Sequence, residues 1–164
     1  MSELDAEMDR IFAARDRDHM QPTIDAFERL LADHPDDPRL VYEVGGSYDT
    51  AGEEQTALGF YTRALELGLE GDLRRQCLLQ LASTFRQLGR FEESLDVLNR
   101  AILEFPGSPS LRVWKALTLH ASGRPNGGFA LLLTTIAEHL DSPEITRYQA
   151  ALRGTAEYIR DLGD

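Results

Sequence analysis

The chain has one cysteine, Cys77, one tryptophan, Trp114, and one lysine, Lys115, among 164 residues. A single thiol excludes a disulfide framework and any multi-cysteine zinc site. The longest near-apolar stretch, residues 127–137, is interrupted by two threonines. It is about half the roughly 20 residues a membrane helix needs. The four histidines, His19, His34, His120 and His139, contain no pair spaced i, i+4 and no metal-binding motif. Positive charge is scarce at one end only. Residues 1–70 carry 17 acids and 6 bases, whereas residues 71–164 carry 11 of each, so the whole net charge of −11 lies in the first part. An acidic chain without a basic patch repels phosphate, so nucleic acid is not an expected partner. The N-terminus, Met1-Ser2-Glu3-Leu4-Asp5, is acidic where a secretion signal is basic, and a cytoplasmic location is expected. With 42% apolar and 27% charged residues, the chain has enough apolar content for a soluble core without cross-links.

What is present is an internal repeat. A small residue recurs at Gly45, Ala82, Ala116 and Ala150, at spacings of 37, 34 and 34. Three residues after the first three stand Tyr48, Phe85 and Leu119, and four later Gly52, Gly89 and Gly123. Small residues return at Ala57, Ser94 and Gly128, followed by Tyr61, Leu98 and Leu132, then Ala64, Ala101 and Thr135. Small and large side chains at i, i+3 and i+4 share one helix face. Two helices can approach closely at the small positions while large side chains fill the flanks. The recurrent glycine is the expected left-handed stop of the first helix. Asp37-Pro38, Ser108-Pro109 and Ser142-Pro143 place a capping side chain before a proline at the first helical position. The pattern predicts nine helices, near 3–18, 22–34, 38–51, 54–67, 72–88, 91–104, 109–122, 126–139 and 143–162, and no strand.

These residues resemble the tetratricopeptide repeat, a 34-residue helix–turn–helix. Its pattern W-x2-L-G-x2-Y, A-x3-F, A, P is met by Val41-x2-Val44-Gly45-x2-Tyr48, Ala57-x3-Tyr61 and Ala64. It is met again by Leu78-x2-Leu81-Ala82-x2-Phe85, Ser94-x3-Leu98, Ala101 and Pro106. A further copy keeps Ala116, Leu119, Gly123, Gly128 and Leu132 but carries Arg112 and Lys115 at two usually apolar positions. The resemblance implies an all-α, right-handed superhelical array in one domain, 1–164. Its repeats would be 4–37 (degenerate), 38–71, 75–108 and 109–142, with a capping helix at 143–162. Within that helix, Ile145, Tyr148, Leu152, Ile159 and Leu162 read as the packing stripe. The layout is similar to small bacterial tetratricopeptide proteins of undefined role, thought to dimerise.

Residues suited to chemistry have structural readings. Cys77 reads as a buried apolar group, and His34 and His139 as partners of helix C-termini. Glu53-Glu54 and Glu92-Glu93 open helices, where negative charge suits the dipole. No catalytic residue, metal or cofactor is therefore expected, and the chain reads as a non-enzymatic interaction module. In the family the first helices line a groove. The resemblance places Tyr42, Leu79, Arg86, Val113, Leu117, His120 and Arg147 there, with Trp114 alongside. The lysine and asparagine of the family's carboxylate clamp are missing from the matching positions. The groove positions are partly apolar, which suits a peptide, a helix or a second copy of the chain, or else signals burial within the chain. A homodimer is expected, with Val113, Trp114, Leu117 and Tyr148 as contacts. The alternatives are a secretion-type chaperone for an apolar client segment, and a small-ligand sensor or enzyme using the groove.

Overall fold

The computed structural model of the chain describes residues 2–164. Among the described residues there are nine helices and no strand. They are α1 (Glu3–Ala14), α2 (Gln21–Asp33), α3 (Pro38–Thr50), α4 (Glu54–Glu66), α5 (Gly71–Gln87), α6 (Phe91–Glu104), α7 (Pro109–Ala121), α8 (Pro125–His139) and α9 (Pro143–Asp161). None of them is long and apolar enough to cross a membrane. Eight of the nine agree with the expected windows to within one residue. The exception is α1, expected to reach residue 18 but ending at Ala14. Arg15 turns extended, with ψ 137°. The Asp16 carboxylate then accepts the Asp18 N–H at 3.0 Å and its carbonyl accepts His19 N–H at 3.1 Å. Such side-chain bonding gives the backbone an alternative to the helix.

The helix stops follow from glycine geometry. Gly52, Gly89 and Gly123 have φ of +80°, +73° and +79°. At Gly52 the Glu53 N–H reaches the Tyr48 carbonyl (2.9 Å) and the Gly52 N–H reaches Asp49 (3.1 Å). Arg124 to Leu119 (2.8 Å) and Gly123 to His120 (3.1 Å) repeat the pattern. These paired bonds satisfy carbonyls that a helix end leaves open. The starts agree only in part. Asp37 caps α3 by accepting the Leu40 N–H at 2.8 Å. Ser108 and Ser142 make no side-chain cap; the Ser108 hydroxyl instead pairs with that of Ser110 at 3.0 Å.

The chain divides between Leu88 and Gly89 into two compact units. In the first, each helix from α1 to α5 packs on the next. Met8, Phe27, Leu40 and Val44 form a buried cluster there. In the second, α6, α7, α8 and α9 pack in sequence. A buried hydroxyl pair, Ser94 on Thr118 at 3.0 Å, joins α6 to α7.

The small positions carry the helix contacts. A Cβ added at Gly45 would lie 3.0 Å from both Phe60 Cβ and Tyr61 Cδ1. One added at Gly128 would lie 2.7 Å from the Ala116 carbonyl oxygen. Ala82, Ala116 and Ala101 are buried as well. Ala150 is exposed. The packed side of α9 also differs from the expected stripe. Ala156 is buried and Ile145, Gln149, Leu152 and Ile159 are half-buried, while Tyr148 and Leu162 stand in solvent. The Gln149 amide reaches the Ala137 carbonyl at 2.5 Å, which draws a polar residue into the stripe. The chain end folds back on α8: Asn126 N–H donates to the Asp164 carboxylate and its amide to the Gly163 carbonyl, both at 2.6 Å.

Two glycines side by side give a test. Gly45→Ala and Gly128→Ala should each lower stability by roughly 1–3 kcal/mol, through forced separation of packed helices. Gly46→Ala, with only the Tyr61 hydroxyl near its would-be Cβ, at 3.9 Å, should be neutral or gain about 0.4–1 kcal/mol. Urea unfolding of the three variants checks this. Equal midpoints for Gly45→Ala and Gly46→Ala would disprove the assignment.

Candidate functional site

The first unit contains a pocket of about 380 Å³. Its floor is a stripe of α3, Arg39, Glu43, Gly46 and Thr50, recurring every three or four residues. Leu73, Gln76 and Gln80 of α5 form one wall. Asp9 and Phe12 of α1, with Arg15 and Arg17 just after it, form the other. Tyr42 and Tyr61 close the base, their ring centroids 5.9 Å apart.

Arg39 organises the charges. Its Nη1 donates to Asp5 at 2.9 Å and its Nη2 to Asp9. Its Nε is buried without a hydrogen bond, 3.9 Å from Glu43. Burial opposes the charge on Arg39, and the bonds to Asp9 and Asp5 more than offset it. Asp5 is held down at about 2, first by the Ser2 backbone and hydroxyl in the helix cap and then by Arg39. Glu43 behaves in the opposite way. Its side chain is 12% exposed, and burial lifts its carboxyl above the ordinary range although Arg39 pulls it back. Tyr61 is buried and donates to Asp49 at 3.1 Å. Burial raises the Tyr61 hydroxyl and, against the Tyr61 bond, the Asp49 carboxyl.

The residues singled out in the sequence fall into both units. In the first, Tyr42 lines the pocket, and its hydroxyl is 3.5 Å from Gln76 Oε1. Leu79 is buried and does not line the pocket. Arg86 is half-buried, with Nη2 3.4 Å from Ser83 Oγ. In the second unit, Val113 and Trp114 are half-buried, and the Trp114 indole N–H is buried without an acceptor. Leu117 is 42% exposed, and His120 and Arg147 are exposed. Tyr148 is 57% exposed, with the Arg147 guanidinium 5.7 Å from its ring centroid. Of the eight residues named for the groove, Tyr42 lines the pocket and the other seven do not; Gly46, a further groove position in the family pattern, lines it as well.

The sequence reading missed Arg39, Glu43, Gln76 and Gln80. A signal for them existed: Arg39 to Gln76 and Glu43 to Gln80 repeat the 37-residue offset of Gly45 to Ala82. Polar residues returning at one repeat position mark a shared face as surely as apolar ones do.

Chemical groups elsewhere are committed to structure. Cys77 is buried, its Sγ 3.5 Å from the Tyr61 carbonyl, and burial pushes its thiol up to about 12. A neutral thiol of that kind is a poor nucleophile. Among the described residues no group of three or more His, Cys, Asp or Glu is arranged to hold a metal ion.

Hairpins built on small positions, stopped by left-handed glycines and repeated along the chain, agree with a comparison against known families. The family described as Tetratrico peptide repeat matches residues 38–161. The chain belongs to the tetratricopeptide repeat family. The match begins at α3, so α1 and α2 lie outside it. No curated protein matches the chain. Tetratricopeptide repeats generally act in protein–protein interaction and are generally non-enzymatic.

The Glu43 carboxyl gives a pH test. Because its folded value is raised, its ionisation costs stability as pH rises through that value, and costs nothing below its ordinary range. Glu43→Gln should therefore raise the urea midpoint at about pH 7.5 and leave it unchanged at about pH 4. A lower midpoint at the higher pH would show that attraction to Arg39 outweighs burial.

Proposed function

We propose that the chain is a non-enzymatic protein-interaction module that takes a segment of another protein in the first unit and associates with itself through the second. The observation that carries the first part is the pocket. It lies along the first-helix residues of α3 and α5, contains the buried Arg39 Nε without an acceptor, and has a glycine floor that helix packing does not require. The size is within the usual range for a ligand pocket, about 300–1,000 Å³.

The second part rests on how apolar surface is distributed. Nine large apolar residues are exposed among the described ones, and eight lie in the second unit, Leu117, Phe129, Leu140 and Tyr148 among them. Charge is distributed the other way. Residues 1–88 carry 18 acids against 9 bases, net −9, and residues 89–164 carry 10 against 8, net −2. Two copies joined through their first units would repel, and joined through their second units they would cover apolar surface. Val113, Trp114, Leu117 and Tyr148 are the proposed contacts, and a two-fold homodimer is the expected form.

Two measurements test these readings. Gly46→Phe fills the pocket without disturbing α3–α4 packing, so a host protein retained by the immobilised parent should be lost from this variant. Equal retention would remove the pocket from the reading. For association, light scattering should give twice the chain mass for the parent and one chain mass for Val113→Asp/Leu117→Asp, with helical dichroism preserved, because a buried unpaired carboxylate opposes the contact. A monomeric parent at tens of micromolar sinks the dimer, and a double variant that unfolds shows that this face is core.

A further inference from the structure

The pocket holds a carboxylate, Glu43, that is paired only at long range and receives no hydrogen bond among the described residues. Arg39 gives both Nη atoms to α1, and its Nε stops 3.9 Å short of Glu43. Glu43 therefore receives no hydrogen bond on its carboxylate among the described residues, although only 12% of its side chain is exposed. The carboxylate opens only on the pocket, and a carboxylate largely withdrawn from water is costly unless donors surround it. The charged groups around it are Arg39 of the same helix, Asp9 of α1 and Arg15 after α1. None supplies the missing hydrogen bond.

The space beside Glu43 is kept open. Gly46, one turn further on, would meet only the Tyr61 hydroxyl if it carried a Cβ. No close helix contact and no positive φ requires glycine there. Opposite it, the Gln80 side-chain amide makes no hydrogen bond among the described residues, while Gln76 donates to Asp72 at 2.7 Å and its Oε1 accepts only the long contact from Tyr42. A carboxylate without a hydrogen-bond donor, two tyrosine rings and the Gln80 amide in one pocket suit one kind of visitor. We infer that this pocket receives a lysine or arginine side chain from an extended segment of a partner protein, with its cationic head on Glu43 and its methylene stem along Tyr42.

This inference rests on the interaction reading above and names the chemistry of the partner. Two further features agree with it. The unit around the pocket has a net charge of −9, which draws a basic segment in and raises its on-rate. Arg15 already shows how a guanidinium is held at the rim: it lies 3.6 Å from the Phe12 ring centroid and donates to the Phe12 carbonyl at 2.6 Å. That fixed charge opposes an entering cation. Removing it should strengthen binding of a basic segment and weaken binding of an acidic one.

The experiment is an amide NMR titration of the full chain with terminally blocked pentapeptides, Ala-Gly-Arg-Gly-Ala and Ala-Gly-Lys-Gly-Ala against Ala-Gly-Glu-Gly-Ala. The basic peptides should shift amides around Glu43, Gln76 and Gln80, and the acidic one should not. Glu43→Gln should weaken the basic peptides about tenfold or more, as loss of a charged hydrogen bond does. Arg15→Ala should tighten them several-fold. Glu43→Gln removes a buried charge, and the same spectra report whether it is folded. The inference is overturned if the acidic peptide shifts these amides and Arg15→Ala abolishes the effect, if no peptide shifts them, or if Glu43→Gln binds as the parent does. A captured partner that is lost from Gly46→Phe yet contacts the pocket through a segment without basic residues would overturn it too, leaving the interaction reading in place. Basic-peptide binding with no protein captured would support the side-chain chemistry assigned to the pocket and count against the broader interaction reading.

Discussion

Missing side-chain volume is the constraint on which both units are built. At Gly45 a single added carbon would meet Phe60 and Tyr61, and at Gly128 it would meet the backbone oxygen of Ala116. Helices so close exclude water from the large residues flanking the contact. Tyr61 and Leu98, next to the small positions, are completely buried. Protein interiors pack too densely to absorb an extra methyl group without movement. The spacing of small residues along the chain is therefore also the spacing of helix contacts in space.

The pocket depends on that contact. With α3 pressed on α4 through Gly45, Tyr61 sits beneath α3 and its hydroxyl is fixed on Asp49. Arg39, Glu43, Gly46 and Thr50, recurring along α3, are then left to line the pocket above the Tyr61 ring. Adjacent glycines in one helix thus have different causes. Gly45 is small because another helix is there, and Gly46 is small with open space beside it. A glycine inside a helix costs about 1 kcal/mol relative to alanine, so the second glycine calls for a reason outside packing, which the proposed occupant of the pocket would supply.

Charge and apolar exposure divide the chain between its two units. The first carries nearly all the net charge and one of the exposed large apolar side chains, Phe12; the second is close to neutral and carries the rest. Within the acidic unit, three of the six bases in residues 1–70, Arg15, Arg17 and Arg39, converge on one pocket. Arg39 is consumed by Asp5 and Asp9, which ties α1 to α3 and leaves Glu43 short of a donor. A contact that holds the fold together at this point also creates the unsatisfied group of the candidate site.

The sequence by itself determined the helices, their stops and the faces on which they meet. These depend on local rules: glycine at positive φ, proline at a first turn, and small residues recurring with the helix period. Where the reading failed, a competing side-chain bond had no periodic signature. The Asp16 turn ended α1 early, Ser110 took the hydroxyl of Ser108, and Gln149 entered the stripe on α9 at the expense of Tyr148. Only the tertiary structure decided the pocket. Asp5, Asp9 and Arg39 are about 30 residues apart in the chain, and no repeat rule says that two acids of α1 will meet one arginine of α3. A helix period shows which residues share a face; which of those residues remain without a partner depends on side chains brought in from other helices.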